Sequence, residues 1–290
     1  MKGDGTMSVI VWHDLDPFGA EVDLDLGREI SDEQERALRE LFFREKLLVF
    51  RGQDVDRDRQ IRLMALVGPV IGAEPDTTRI SNQSALDGLG ALELSFHSDL
   101  SFSPEPYHAI SLAAHQLEDG RSSTRFANTV REYAALPEAL RLQLDGLHAL
   151  NVFSRDVSGR NREANLVASD PRIVGPVVRT HPATGEPLLF VNQNATDRIV
   201  DISADESEAL LDALFSALYH DGNVLEHVWR MGDVVMWDNL AVQHARADVS
   251  GAGVRILQKV VVGPRAFLDQ HPEFGRQDFI DRDEAQVEAG

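Results

Sequence analysis

Apolar and polar positions along the chain change rhythm several times, and each change predicts an element. Residues 31–46, SDEQERALRELFFREK, open with Ser31 and Gln34 at capping-box spacing and continue with apolar residues at helical intervals. The run LLVFRG (47–52) predicts a buried strand closed by Gly52, and 56–68 a second helix ending at Gly68. Residues 80–92 are rich in glycine and serine and predict a loop. YHAISLAAHQL (107–117) reads as a strand, EDGRSS as a turn and TRFAN as a short strand. The segment from Thr129 to Leu150 predicts two helical pieces, with Pro137 at the first turn of the second. Residues 154–171 are polar and aperiodic, a loop long enough to suggest an active-site lid. Residues 175–192 predict a hairpin around a Pro/Gly turn, and 203–220 an amphipathic helix capped by Ser203. Three strand-like runs follow closely: VLEHVWR, DVVMWDN and VRILQKVVVG.

Helices near the front and strands clustered late do not alternate as βαβ units would. The pattern predicts one mainly β, antiparallel domain with flanking helices, a sandwich or barrel whose loops carry a site. The expectation is a single domain over 1–290, with a core at about 10–263 and a partly loose acidic tail from 264.

Composition narrows the functional classes. At 290 residues the chain is long enough for a substantial core, and 43% hydrophobic with 26% charged residues is ordinary for a globular protein. The formal charge of −20 argues against nucleic acid and against an anionic membrane surface as partners. With no cysteine there are no disulfides, thiolate metal sites or cysteine nucleophiles. No apolar run approaches a membrane span, and the first fifteen residues lack the pattern of a signal peptide. The expectation is a cytoplasmic protein.

Candidate chemistry starts at SFHSDLSF (95–102), which alternates like a strand and so would point His97 and Asp99 the same way. Alone, the pair is either a structural hydrogen bond or two ligands of a metal. A ferrous oxygenase site needs two histidines and one carboxylate on one face of the metal. His244, just after the apolar strand and turn of VVMWDNLAVQH, is the best third candidate, although its distance in sequence decides nothing. Further on, Arg255 and Lys259 interrupt an apolar strand and share one face with Leu257. A cation there suits an anion, and arginine pairs a carboxylate bidentately; the plain alternative for Arg255 is an exposed salt bridge. Lys259 is open between a substrate clamp and a solvated charge on an edge strand. Trp237, Phe96 and Phe102 read as core aromatics.

FHSDLSF, WDNLAVQH and VRILQK together resemble the signature of the iron- and 2-oxoglutarate-dependent dioxygenases of the taurine dioxygenase family. The resemblance extends through LLVFRGQ, VVRTHPATGEPLLFVN and ISADESEALL, in family order, from about residue 10 to 263. It implies a distorted double-stranded β-helix, a cupin-like jelly roll with flanking helices. It implies Fe(II) held by His97, Asp99 and His244, and 2-oxoglutarate held by Arg255 and by Thr124. The usual Gly-Gly-Asp before that threonine is here Arg-Ser-Ser. The implied reaction consumes O2, releases succinate and CO2, and oxidises a C–H of a small molecule, hydroxylation being the default. Asp99 argues against halogenation, since related halogenases carry a small residue there. Lys259 stands where the taurine enzyme has an arginine, and Ala73, Glu93 and Ala195 stand near its other substrate positions, so taurine is not the expected substrate. The alternatives are a non-redox metal- or ligand-binding pseudoenzyme on the same fold and a zinc hydrolase; a homo-oligomer is left open.

Overall fold

The apolar runs become strands that pair almost entirely antiparallel, and the two largest sheets face each other. The computed structural model describes residues 4–7, 9–71, 79–82 and 91–272. In chain order the elements are β1 (Asp4–Met7), β2 (Ile10–Asp14), β3 (Ala20–Asp23), α1 (Asp32–Glu45), β4 (Leu47–Phe50) and α2 (Arg57–Ala65). Next come β5 (Val70–Ile71), β6 (Arg79–Ser81), β7 (Leu94–His97), β8 (Ala109–Leu117), β9 (Ser123–Asn128), α3 (Thr129–Ala135) and α4 (Glu138–Leu144). Then follow β10 (His148–Val152), β11 (Arg172–Pro176), β12 (Val178–Thr180), β13 (Pro187–Leu189), β14 (Thr196–Ile199) and α5 (Ala204–Leu218). The last are β15 (Val224–Val228), β16 (Val234–Asp238), β17 (Val242–Arg246), β18 (Arg255–Val262) and α6 (Ala266–Gln270).

The large sheet runs β1-β2-β3-β4-β16-β8-β18-β5, with β6 also on β18, and only β3–β4 is parallel. The small sheet runs β15-β9-β17-β7 and is antiparallel throughout. Period-two alternation divides each strand between two cores. Between the sheets, Val235 and Trp237 of β16, Ile110 and Leu112 of β8 and Leu257 of β18 meet Phe126 of β9 and Val242 of β17. On the outer face of the large sheet, Val234, Met236, Val260 and Val262 pack beneath α1 and α2. Helix α1 forms because Ser31 and Gln34 close the capping box and Leu38, Leu41 and Phe42 fall on its buried stripe. It ends at Lys46, in the left-handed region at φ 66°, whose buried ammonium donates to Phe43 O and Glu186 Oε2. Helix α5 covers a third layer, the sheet β11-β10-β14, through Leu210, Leu211, Leu214 and Leu218.

Several expectations change. The second helical piece does not reach Leu150: it stops at Leu144, Gly146 takes φ 72°, and His148 begins β10. The Gly175–Pro176 end of the expected hairpin belongs to β11, leaving β12 and β13 as the hairpin proper. Of the tail expected to be partly loose, α6 buries Phe267 and Leu268 in the inter-sheet core, and residues 273–290 lie outside those described. β18 is no edge strand, being paired by β8 on one side and by β5 and β6 on the other. Among the described residues no helix is long and apolar enough to cross a membrane.

The polarity of 154–171, which suggested a lid, goes into fastening the segment down. Arg155 grips Asp170 with two hydrogen bonds, and Arg160 and Arg162 converge on Glu208 of α5. Ser95 of β7 donates through its backbone to Val157 O and through its hydroxyl to Ser158 O. Hydrogen bonds from Arg162, and then from Arg160, outweigh burial and pull the Glu208 carboxyl from 4.5 down to about 2.

Two outcomes follow. Leu41→Ala, at a position with 0% exposure, should cost about 2–5 kcal/mol in urea unfolding, against about 0.5 kcal/mol or less for Leu142→Ala, 69% exposed. The depressed Glu208 carboxyl contributes stability above its unfolded value and loses it as pH falls through its folded one. Glu208→Gln should therefore lower stability by no more than about 1 kcal/mol at neutral pH, since the site is surface-screened. That difference should shrink as pH falls from 4.5 towards about 2, measured as paired urea midpoints across the range.

Candidate functional site

Strands β7 and β17 pair antiparallel with His97 directly opposite His244, so both imidazoles rise from the same face of the small sheet. Their ring centroids are 4.2 Å apart. Asp99 reaches them by a different route from the one its spacing predicts. β7 stops at His97, and residues 98–100 turn, with Ser101 N–H donating to Ser98 O and Leu100 in the left-handed region at φ 58°. A continued strand would carry Asp99 past the site; the turn swings its carboxylate back. Its Oδ1 lies 3.3 Å from His97 Nε2 and 3.5 Å from His244 Nε2. One donor atom from each of the three residues lies within 4.8 Å of the others, and the side chains are 17, 15 and 13% exposed, within reach of a solute.

Hydrogen bonding and electrostatics set the orientation and charge of these groups. His97 Nδ1 donates to Ser95 O at 2.7 Å, which fixes the ring with Nε2 facing Asp99. His244 has no hydrogen-bond partner at Nδ1; packing against Trp237, 5.0 Å away, and His97 holds the ring. Burial, and then repulsion from His97, hold His244 well below the usual histidine range against the pull of Asp99, so it is neutral. Burial alone would raise the Asp99 carboxyl, but Lys259, His97 and His244 together hold it well below the usual range. Two imidazoles and one carboxylate so close together are a fitting donor set for a divalent first-row metal. Lys259 Nζ donates to Asp99 Oδ2 and lies 5.6 Å from the Tyr107 ring centroid. Burial and the nearby Asp99 keep the Tyr107 phenol protonated.

A second corner lies along the same inner surface. Thr124 and Phe126 of β9 and Leu225 and His227 of β15 share the inward parity, as do Arg255, Leu257 and Lys259 of β18. Arg255 is 2% exposed, yet its Nε and Nη1 have no hydrogen-bond partner, and no carboxylate among the described residues lies within ion-pair distance. Burial, and then the Arg246 guanidinium, lower it to about 9, still charged at neutral pH. A buried guanidinium with free N–H groups is costly unless an anion meets it. Its guanidinium carbon sits 6.0 Å from the Trp229 ring centroid, and Trp229 Nε1 donates to Thr124 Oγ1 at 2.9 Å. Trp229 thus joins the expected threonine to the expected arginine.

The six expected site residues therefore fall into two groups on one surface, His97, Asp99, His244 and Lys259 in one, Thr124 and Arg255 in the other. Lys259 is 20% exposed and paired with Asp99, and its strand is not at an edge. Of the expected substrate positions, Glu93 is exposed just before β7 and Ala195 is buried, while Ala73 lies outside the described residues. Phe96, Phe102 and Trp237 are buried, as expected. Sequence reasoning missed Tyr107, Trp229 and Asn239. Trp229 keeps the period-two parity of Leu225 and His227, and Asn239 lies within WDNLAVQH, both visible signals; Tyr107 has none. Histidines left without a role find carboxylates elsewhere, as in His181–Asp238 at 2.8 Å and His227–Asp233 at 3.1 Å, both pairs buried.

Comparison with known proteins gives the family. Over 277 residues the chain is 31% identical to an alpha-ketoglutarate-dependent 2,4-dichlorophenoxyacetate dioxygenase of Cupriavidus pinatubonensis, covering 84% of this chain and 94% of that protein. It is 30% identical to an alpha-ketoglutarate-dependent sulfate ester dioxygenase of Pseudomonas putida, covering 84% and 86%. The crystal structure of a taurine dioxygenase from Burkholderia xenovorans shares the fold, with a TM-score of 0.74, 24% identity and coverage of 88% and 91%. Residues 13–261 match the family described as taurine catabolism dioxygenase TauD, TfdA, and the chain belongs to that family.

Proposed function

We propose that this chain is an Fe(II)- and 2-oxoglutarate-dependent oxygenase that hydroxylates a C–H of a small anionic molecule. The observation that carries the reading is the pairing of a His97/Asp99/His244 donor set with a buried guanidinium, Arg255, on one inner surface. In this reading the two facing sheets are a distorted jelly roll, and one domain over 1–290 carries the whole site. His97, Asp99 and His244 hold the iron; Arg255 takes the distal carboxylate of 2-oxoglutarate, and Thr124, oriented by Trp229, adds a hydroxyl to the same carboxylate. Iron with 2-oxoglutarate supplies the activation of O2 that a protein side chain cannot. The reaction balances as substrate C–H, O2 and 2-oxoglutarate giving substrate C–OH, succinate and CO2.

The protein's own contribution is position and charge. Arg255 fixes the cosubstrate by a bidentate, charge-assisted pair, and the buried surroundings strengthen it. Leu100, Phe102 and Leu257 pack beside the site in the inter-sheet core and limit water. Lys259 projects its ammonium into the metal-side group and is the residue we assign to the substrate's anionic group. The relatives named for 2,4-dichlorophenoxyacetate and for sulfate esters act on anions, which supports that class. Lysine in place of a forked guanidinium, with Ala195 where an aromatic would stand, disfavours taurine. Neither the site nor these relatives support a binding protein without turnover.

The first test is spectroscopic. Anaerobic protein with Fe(II) and 2-oxoglutarate should show a weak visible charge-transfer band that Asp99→Ala abolishes; no band, together with no succinate release across a panel of small carboxylates, sulfonates and sulfate esters, sinks the reading. The second separates the two cations. Arg255→Gln should raise the KM for 2-oxoglutarate by about ten- to hundredfold, the loss of charged hydrogen bonds worth about 1.5–3 kcal/mol. Lys259→Met should raise the KM for the organic substrate and leave that for 2-oxoglutarate nearly unchanged, read from succinate formation.

A further inference from the structure

We infer that Asn239 is a positioning residue for the metal centre: its side-chain amide clamps the turn that carries Asp99 to the connection that delivers His244. Asn239 is 0% exposed and follows β16 in the tight turn leading into β17. Its Oδ1 accepts the Asp99 N–H at 3.0 Å. Its Nδ2 donates to Asp99 O at 3.1 Å and to Tyr107 O at 2.8 Å. Its own N–H donates to His108 O at 2.9 Å. Both amide protons and the amide oxygen are thus in use, and the orientation of the amide follows from chemistry, because a flip would set N–H against N–H and oxygen against two carbonyls.

The geometry assigns the role. The Asp99 N–H and C=O stand on either side of its Cα, and one amide holds both. That fixes the backbone of Asp99 and hence the direction in which its carboxylate leaves the chain. The hold is needed where it acts: Leu100 is in a conformation that branched side chains avoid, so the turn does not keep this shape by local preference. The same residue lies five positions before His244, so the two ligand-bearing segments are referenced to one point. The neighbouring Asp238 has a different task. Its Oδ1 accepts the Leu240 and Ala241 N–H groups at 3.1 Å each, shaping the β16–β17 turn, and its Oδ2 faces His181.

The inference rests on the metal-site reading, and calorimetric titration with Co(II), in the absence of 2-oxoglutarate, separates the two. Asn239→Asp keeps the acceptor but loses both donations. It should weaken Co(II) binding by about ten- to hundredfold, with an altered visible Co(II) absorption. The control is Asn223→Asp, at a buried amide that donates to Asn128 O and Leu218 O and touches no site residue. It should lower the thermal midpoint while leaving affinity and absorption as in the wild type. Should Asn239→Asp fail to fold, Asn239→Ala, which buries no charge, is read against the same outcomes. Wild-type affinity and absorption in the Asn239 variant, or equal weakening by Asn223→Asp, overturns the positioning role. Wild-type protein that takes up no Co(II) instead sinks the metal site itself.

Discussion

The antiparallel register of β7 against β17 is the constraint on which the site depends. Opposite residues of such a pair share a face, so His97 and His244 are held together by backbone hydrogen bonds, not by any attraction between their rings. A slip of one residue would turn one imidazole out of the site and Val242, now between the sheets, towards the outer surface. The pairing is irregular immediately beyond, between His244 and Arg246, so the regular ladder ends where the donors are. The distance from these donors to the Arg255 corner is set by the packing of Phe126, Trp237, Val242 and Leu257 between the sheets. The core is therefore also the spacer between the two groups.

The charge distribution runs against the composition. A chain with a formal charge of −20 gathers Arg246, Arg255 and Lys259 on its interior surface. Burying a charge costs several kcal/mol unless a partner compensates it. Lys259 and Asp99 compensate each other. Among the described residues Arg255 has no carboxylate partner, an arrangement that lowers stability and that, on the proposed reading, the cosubstrate's carboxylate would relieve. Beyond the site, positive charge is spent on fastening, as where Arg160 and Arg162 close over Glu208.

Legibility in the sequence followed the range of the forces involved. Helices α1 and α5 were readable because their caps and stripes are local, and β8, β16 and β18 because apolar runs need only a sheet to enter. The turn at Asp99 was not readable: Leu100 adopts a left-handed backbone without being glycine, and the side chain that supports it comes from residue 239. The stretch at 145–150 continued the apolar content of a helix, and only Gly146 marked the change to β10. His244, Arg255 and Thr124 drew their roles from the ordered resemblance of several motifs, since an interval in sequence cannot show that two strands meet. Lys259 was ambiguous for the same reason, because whether a strand is central or at an edge is a property of its neighbours.

β18 is hydrogen-bonded along both sides and carries Arg255 and Lys259 four residues apart, roughly 13 Å along a strand. Neither residue can shift along the molecule without breaking two ladders at once. On the proposed reading, the strand acts as a ruler with a fixed mark at the cosubstrate end and an exchangeable mark at the substrate end. Diversification of such an enzyme is then a matter of substituting the side chain at position 259 and reshaping the loops above it, while the chemistry at the other mark is inherited unchanged.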